Sequence, residues 1–228
     1  YYPYVTFTAE KAQKFMMTTF GNYNISELEY SVNYGEWTSV EPNQEVTFGG
    51  ANSTLRLRGT NINGTASAGG IYSYITFTDQ DVKVACTGDI RTLLNWKNYR
   101  TVETKNARFC SLFYKCSVLT SAPELPATKL ADYCYSFMFG GCTSLTAAPE
   151  LPATKLADYC YAGMFANCTK LSTVTMLAPS DQITSWTNCV AYWLDNAGTD
   201  GSVTSRTLKL QDKNAYEALK ANTDYLPT

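Results

Sequence analysis

Two hydrophobic rhythms divide the chain. Across residues 1–88 short apolar and polar runs are separated by turn signals at short intervals, the pattern of an all-β sandwich. The β-prone runs are Tyr4-Val5-Thr6-Phe7-Thr8, Glu29-Tyr30-Ser31-Val32, Glu45-Val46-Thr47-Phe48, Leu55-Arg56-Leu57-Arg58, Tyr74-Ile75-Thr76-Phe77 and Val82-Lys83-Val84-Ala85. In Leu55-Arg56-Leu57-Arg58 a period of two sends both leucines to one face and both arginines to the other, as in a half-buried strand. Asn33-Tyr34-Gly35-Glu36-Trp37 reads as a hairpin turn in which Gly35 is free to take positive φ. Asn63-Gly64 and Gly69-Gly70 bracket a loop. After Gly88, Asp89 is placed to cap a short helix carrying Ile90, Leu93 and Leu94.

From Leu93 a longer period takes over. Residues 119–144 and 145–170 are identical at twenty of twenty-six positions, including the whole of Ala-Pro-Glu-Leu-Pro-Ala-Thr-Lys-Leu-Ala-Asp-Tyr-Cys-Tyr. A degenerate earlier unit places Leu93 under Leu119, Leu112-Phe113 under Met138-Phe139 and Cys116 under Cys142. A later unit begins at Leu171, and its Cys189, Trp193 and Leu194 align with Cys160, Met164 and Phe165 only across a three-residue insertion. A period of this length with Leu at its start predicts a solenoid, in which each coil buries its apolar face against its neighbours. Leu125 and Leu151, Leu130 and Leu156, Met138 and Met164, and Phe139 and Phe165 are then expected to stack inside. Terminal coils need a cap. Thr207-Leu208-Lys209-Leu210 reads as a strand, followed by a helix with Asp212 as N-cap that buries Ala215, Leu219 and Tyr216 and ends at Asn222.

The repeats resemble the BspA-like branch of the leucine-rich-repeat family. The matching stretches are Leu119…Leu125-Pro126…Leu130-Ala131-Asp132-Tyr133…Met138-Phe139-Gly140-Gly141-Cys142-Thr143-Ser144-Leu145, and the next unit through Met164-Phe165-Ala166-Asn167-Cys168 to Leu171. Met stands where the family usually has Ala before Phe, and about three residues around Cys134-Tyr135 and Cys160-Tyr161 are extra. The resemblance implies a secreted or outer-surface protein of gut Bacteroides-type bacteria that serves adhesion or ligand binding and not catalysis. It also implies an N-terminal β-domain ahead of the repeats.

Composition narrows the chemistry. The 228 residues contain no histidine, which removes Ser-His-Asp and Cys-His nucleophiles and His-containing metal sites together. No metal and no cofactor is expected. A paired-carboxylate glycosidase mechanism needs no histidine, and Glu124 with Glu150, or Asp132 with Asp158, recur one repeat apart. The bland reading is a solvated ladder imposed by the period. A formal net charge of -2 offers no general attraction for nucleic acid, and no apolar run approaches the roughly 18 residues of a membrane span. A lipid anchor on a longer precursor stays compatible with this. Of the eight cysteines, Cys116, Cys142 and Cys168 fall on the period, as do Cys134 and Cys160. That favours buried thiols over a disulfide framework or a metal site, although adjacent coils lie within disulfide reach. Asn24, Asn52, Asn63 and Asn167 head N-glycan acceptor patterns, which a bacterial protein leaves unmodified.

The sequence therefore predicts a β-rich chain of two domains. Residues 1–88 form an immunoglobulin-like β-sandwich, and residues 89–228 a short solenoid of 26-residue coils with a β-α cap. It predicts a non-catalytic cell-surface or secreted protein that recognises an extracellular protein or glycan through its repeat face. A polysaccharide-utilisation accessory protein and a structural coat component are the alternatives. The candidate ligand-binding residues are Thr120, Glu124, Thr146 and Glu150 on the repeats, and Trp37 beside the hairpin turn, either in the sandwich core or on a ligand platform.

Overall fold

A computed structural model describes residues 2–51 and 53–227; the acceptor pattern headed by Asn52 lies in part outside the described residues. The protein is β-rich. Its elements are β1 (Val5–Ala9), β2 (Ala12–Phe20), β3 (Leu28–Val32), β4 (Thr38–Ser39), β5 (Val46–Gly49), β6 (Leu55–Gly59), β7 (Ala66–Ala68), β8 (Ile71–Phe77), β9 (Val84–Thr87), α1 (Thr92–Asn95), β10 (Leu119–Ser121), β11 (Thr173–Met176), α2 (Ser180–Ser185), β12 (Thr207–Leu210) and α3 (Lys213–Lys220).

The N-terminal strands form two sheets packed face to face. One has the order β10-β9-β1-β6-β3-β4, the other β5-β2-β8-β7. Phenylalanines fill the space between them: the Phe7 ring of β1 lies 5.9 Å from Phe15 of β2 and 5.4 Å from Phe77 of β8. Each of the six runs read as strands in the sequence overlaps one. The longest strand, β2, does not alternate cleanly, because its inward positions are Gln13, Phe15 and Met17. Gln13 is buried yet fully partnered. Its Nε2 donates to the carbonyls of Asp79 and Val82 at 2.8 and 2.9 Å, and its Oε1 accepts from the Lys14 and Asp79 amides. That offsets the cost of desolvating an amide and ties the turn before β9 to β2.

β9 pairs in parallel with β10 of the repeat half, so one sheet crosses residue 88. The Phe7 and Phe113 rings, 6.2 Å apart, continue the core across the same point. Farther along β8, the Leu112 carbonyl accepts from the Ile75 amide at 2.8 Å, which covers that stretch of the strand's edge.

In residues 109–196 a backbone ladder follows the repeats. Amides of Phe109, Ser111, Phe113 and Lys115 donate to the carbonyls of Cys134, Ser136, Met138 and Gly140, and those of Tyr133, Tyr135, Phe137, Phe139 and Gly141 donate one repeat further on. The intervening amides, such as those of Cys134, Ser136 and Met138, bond three residues back. Within each repeat, residues four apart such as Tyr133, Phe137 and Gly141 have positive φ. From Tyr159 the acceptors shift to Thr187, Cys189, Ala191, Trp193 and Asp195, the register expected from the three-residue insertion. Inside, Phe113, Phe139 and Phe165 stack at 5.5 and 5.9 Å with nearly parallel planes. Phe109, Tyr135, Tyr161 and Trp193 form a second column.

Several local readings are corrected, and the stretch read as a loop between Asn63-Gly64 and Gly69-Gly70 holds β7. Gly35 does not take positive φ; Asn33 (φ 51) and Tyr34 (φ 58) do, because a two-residue hairpin turn puts both central residues in the left-handed region and Gly35 follows as the residue that closes it on the Val32 carbonyl. Asp89 does not cap α1 as its N-cap residue, which is Arg91; its carboxylate instead accepts from the Arg91 amide and pairs with the Arg91 guanidinium at 2.8 Å. At the C-terminus β12 pairs in parallel with β11, and Asp212 caps α3 by accepting from the Ala215 amide at 2.9 Å. Ala215 and Leu219 are buried, while Tyr216 is 45% exposed. The Trp193 Nε1 donates to the Tyr225 carbonyl at 2.7 Å, tying the tail to the last repeat.

Candidate functional site

The outer face of the six-stranded sheet gathers two arginines and four aromatic rings. Alternation along β6 sends Leu55 and Leu57 inward and Arg56 and Arg58 outward, which plants two guanidinium groups on one strand. The hairpin turn between β3 and β4 then folds Tyr34 and Trp37 over them. The Arg56 Cζ lies 4.8 Å from the Tyr4 ring centre, 4.5 Å from Tyr34 and 5.0 Å from Trp37. The Arg58 Cζ lies 4.0 Å from Trp37 and 3.9 Å from Trp96. Arg58 is thus sandwiched between two indoles, and Glu29 of β3 holds its Nε at 2.9 Å.

Trp96 arrives from the repeat side of the chain. Gly59 ends β6 where a Cβ would collide with the carbonyls of Leu93 and Glu27, so only glycine lets α1 dock there. The Trp96 amide donates to the Gly59 carbonyl at 3.0 Å, which sets its indole against Arg58. Beyond it a surface depression of about 580 Å³ is lined by Pro3, Trp96, Lys97, Asn98, Tyr99, Arg100 and Thr101.

Trp37 and Trp96 are both half-buried, and Tyr34 and Tyr2 are each 70% exposed. Trp37 lies outside the sandwich core, half-buried against Arg56 and Arg58. Cation–π contacts of this kind contribute about 0.5–1 kcal/mol when exposed and more when desolvated; here they also lock ring orientations. Underneath, Arg56 Nη2 donates to Ser31 Oγ at 2.9 Å, and the Ser31 hydroxyl donates to the Gly35 carbonyl at 2.7 Å. The turn, the strand and the guanidinium are therefore one connected unit.

Of the repeat candidates, Thr120 lies at the other edge of this sheet. Thr120 in β10 is half-buried, donates to the Val84 carbonyl at 3.1 Å, and lines a shallow depression with Thr8, Lys83 and Ala85. Three strand spacings separate β10 from β6, roughly 14 Å. Thr146, Glu124 and Glu150 are exposed, and the structure does not bring them to Trp37. Sequence reading missed Arg56, Arg58, Tyr34 and Trp96 as site residues. The Arg-Leu-Arg alternation beside an aromatic turn was the available signal for the first three.

The thiols are buried. All eight cysteines are unpaired and buried. Burial pushes the thiols of Cys110, Cys116, Cys134 and Cys168 up to about 12 and that of Cys189 to about 11, with Cys86, Cys142 and Cys160 also well above the ordinary value. Protonated thiols are poor nucleophiles. Instead they act as donors: Cys142 Sγ reaches the Phe113 carbonyl at 3.1 Å and Cys168 Sγ the Phe139 carbonyl at 3.0 Å, one repeat apart. Among the described residues no three Cys, Asp or Glu side chains gather as a metal site, and no helix is long and apolar enough to cross a membrane.

No family model, no curated protein and no solved structure matches this chain.

Proposed function

We propose that the chain is a non-catalytic binding protein, secreted or held at a cell surface, that grips an extended glycan on the outer face of its six-stranded sheet. In this reading the repeats are BspA-like leucine-rich coils forming a short solenoid, and the sandwich and solenoid together make a rigid support for that face. The 26-residue ladder of backbone bonds and stacked rings supports the solenoid reading. The observation that carries the function is the Trp37, Arg58 and Trp96 sandwich: partly exposed indoles whose orientation is fixed before any ligand arrives. Flat aromatic surface with polar groups at its rim suits the apolar face and hydroxyl edge of a sugar ring, and preorganisation lowers the ordering cost of binding.

A protein ligand on the repeat column is the competing reading, favoured by the exposure of Glu124, Thr146 and Glu150. Calorimetric titration of a panel of soluble polysaccharides against the full chain separates the two. We expect at least one glycan to bind with a micromolar dissociation constant, and Trp37→Ala to weaken it at least tenfold while the chain stays folded with a melting temperature lowered by only a few degrees. Trp37→Phe should lose less. Glycan binding that survives in Trp37→Ala but falls in Glu124→Ala with Glu150→Ala would move the site to the repeats.

A further inference from the structure

We infer that Arg56 makes this surface selective for carboxylate-bearing glycans, such as hexuronate polymers, over their neutral counterparts. The inference rests on the glycan-binding reading of the platform and deepens it. The two arginines differ in one respect. Arg58 has a carboxylate partner in Glu29, whereas among the described residues no carboxylate pairs with Arg56. The Arg56 charge is met only by ring faces and by the Ser31 hydroxyl.

Its Nε is buried and has no hydrogen-bond partner. An unpaired buried donor costs about 1–3 kcal/mol, more on a charged group, and such a deficit persists where something else compensates it. A guanidinium presents parallel donors that match a carboxylate in bidentate fashion. Tyr34 is the ring beside Arg56 with the most freedom to yield, being 70% exposed at the tip of the turn and held at φ 58. Rotation of Tyr34 would remove one of the three rings around the guanidinium and expose more of it to a ligand while Trp37 stays in place to stack on the sugar ring.

The surroundings favour an anion. Lys97 and Arg100 border the depression next to Trp96. Of the nearby carboxylates, Glu29 is engaged with Arg58 and Asp89 with Arg91, while Glu36 beside Trp37 and Glu27 beside Gly59 are opposing charges.

Polygalacturonate and its fully methyl-esterified form provide the test, since esterification removes the charge and leaves the ring. Titrated calorimetrically into the full chain at low salt, the acid form should bind at least tenfold tighter than the ester. Arg56→Gln should abolish that preference, weakening the acid form at least tenfold more than the ester, and Arg56→Lys should retain only part of it, because a point charge lacks the bidentate fork. Circular dichroism and melting temperature establish that each variant is folded; if Arg56→Gln is not, Arg56→Lys and Tyr34→Ala carry the comparison, with Tyr34→Ala preserving or raising the preference for the acid. Equal binding of acid and ester by the wild-type chain, or a preference retained in every Arg56 variant, overturns the inference and leaves the glycan reading standing. Failure of both polymers and of neutral galactan to bind overturns both.

Discussion

Phe139 has a parallel ring above and below it, Phe113 and Phe165, and no exposed surface. Replacing it with Ala removes the middle of a column that cannot close up without breaking the backbone ladder on both sides. We expect Phe139→Ala to cost about 3–5 kcal/mol in denaturant unfolding, against less than about 0.5 kcal/mol for the exposed Thr146→Ala. Similar costs for the two would mean that the column is not packed as described. Legibility at this scale follows what a residue's neighbours demand of it. Phe139 and Phe165 announced themselves as core by recurring at the period. Arg56 and Arg58 were readable as two arginines on one face of a strand. Gln13 was not readable as core, because its burial depends on the carbonyls of Asp79 and Val82, 66 and 69 residues away.

Elements show where near-identical repeats had to differ. Phe137 and Gly163 occupy the same repeat position, and a Cβ on Gly163 would run into the Phe137 ring. The large residue of one repeat fills the space vacated by the next. Gly163 also has φ 63, so Gly163→Ala pays for both collision and backbone strain, about 2–3 kcal/mol together. In a Phe137→Ala background only the backbone part should remain, giving a coupling of about 1 kcal/mol in a double-mutant cycle. Strict additivity would contradict the contact. Short strands defined by partners, such as the two-residue β4, left no signal in the sequence. Trp96 as a platform residue was hidden for the same reason: its place depends on α1 docking against Gly59, a contact between segments far apart in sequence.

At the scale of the whole molecule, the buried thiols link stability to pH. Burial raises their folded-state pKa values above the ordinary thiol value. Since the unfolded chain then releases protons first, the stability they protect is complete below about pH 8.5 and is lost as pH rises towards about 12. Each thiol withdraws up to about 1.4 kcal/mol per pH unit in that window. The melting temperature should therefore fall steeply from about pH 9 upward under reducing conditions, and a melting temperature flat to pH 11 would contradict the burial of these groups. The same architecture keeps the thiols inside and presents the rings and guanidinium groups of the six-stranded sheet on its outer face. Hydrogen exchange of the full chain, with and without saturating polygalacturonate, tests that account most directly. We predict slowed exchange in residues 33–37, 55–59 and 95–100; slowed exchange confined to residues 119–124 and 145–150, or none anywhere, would contradict it.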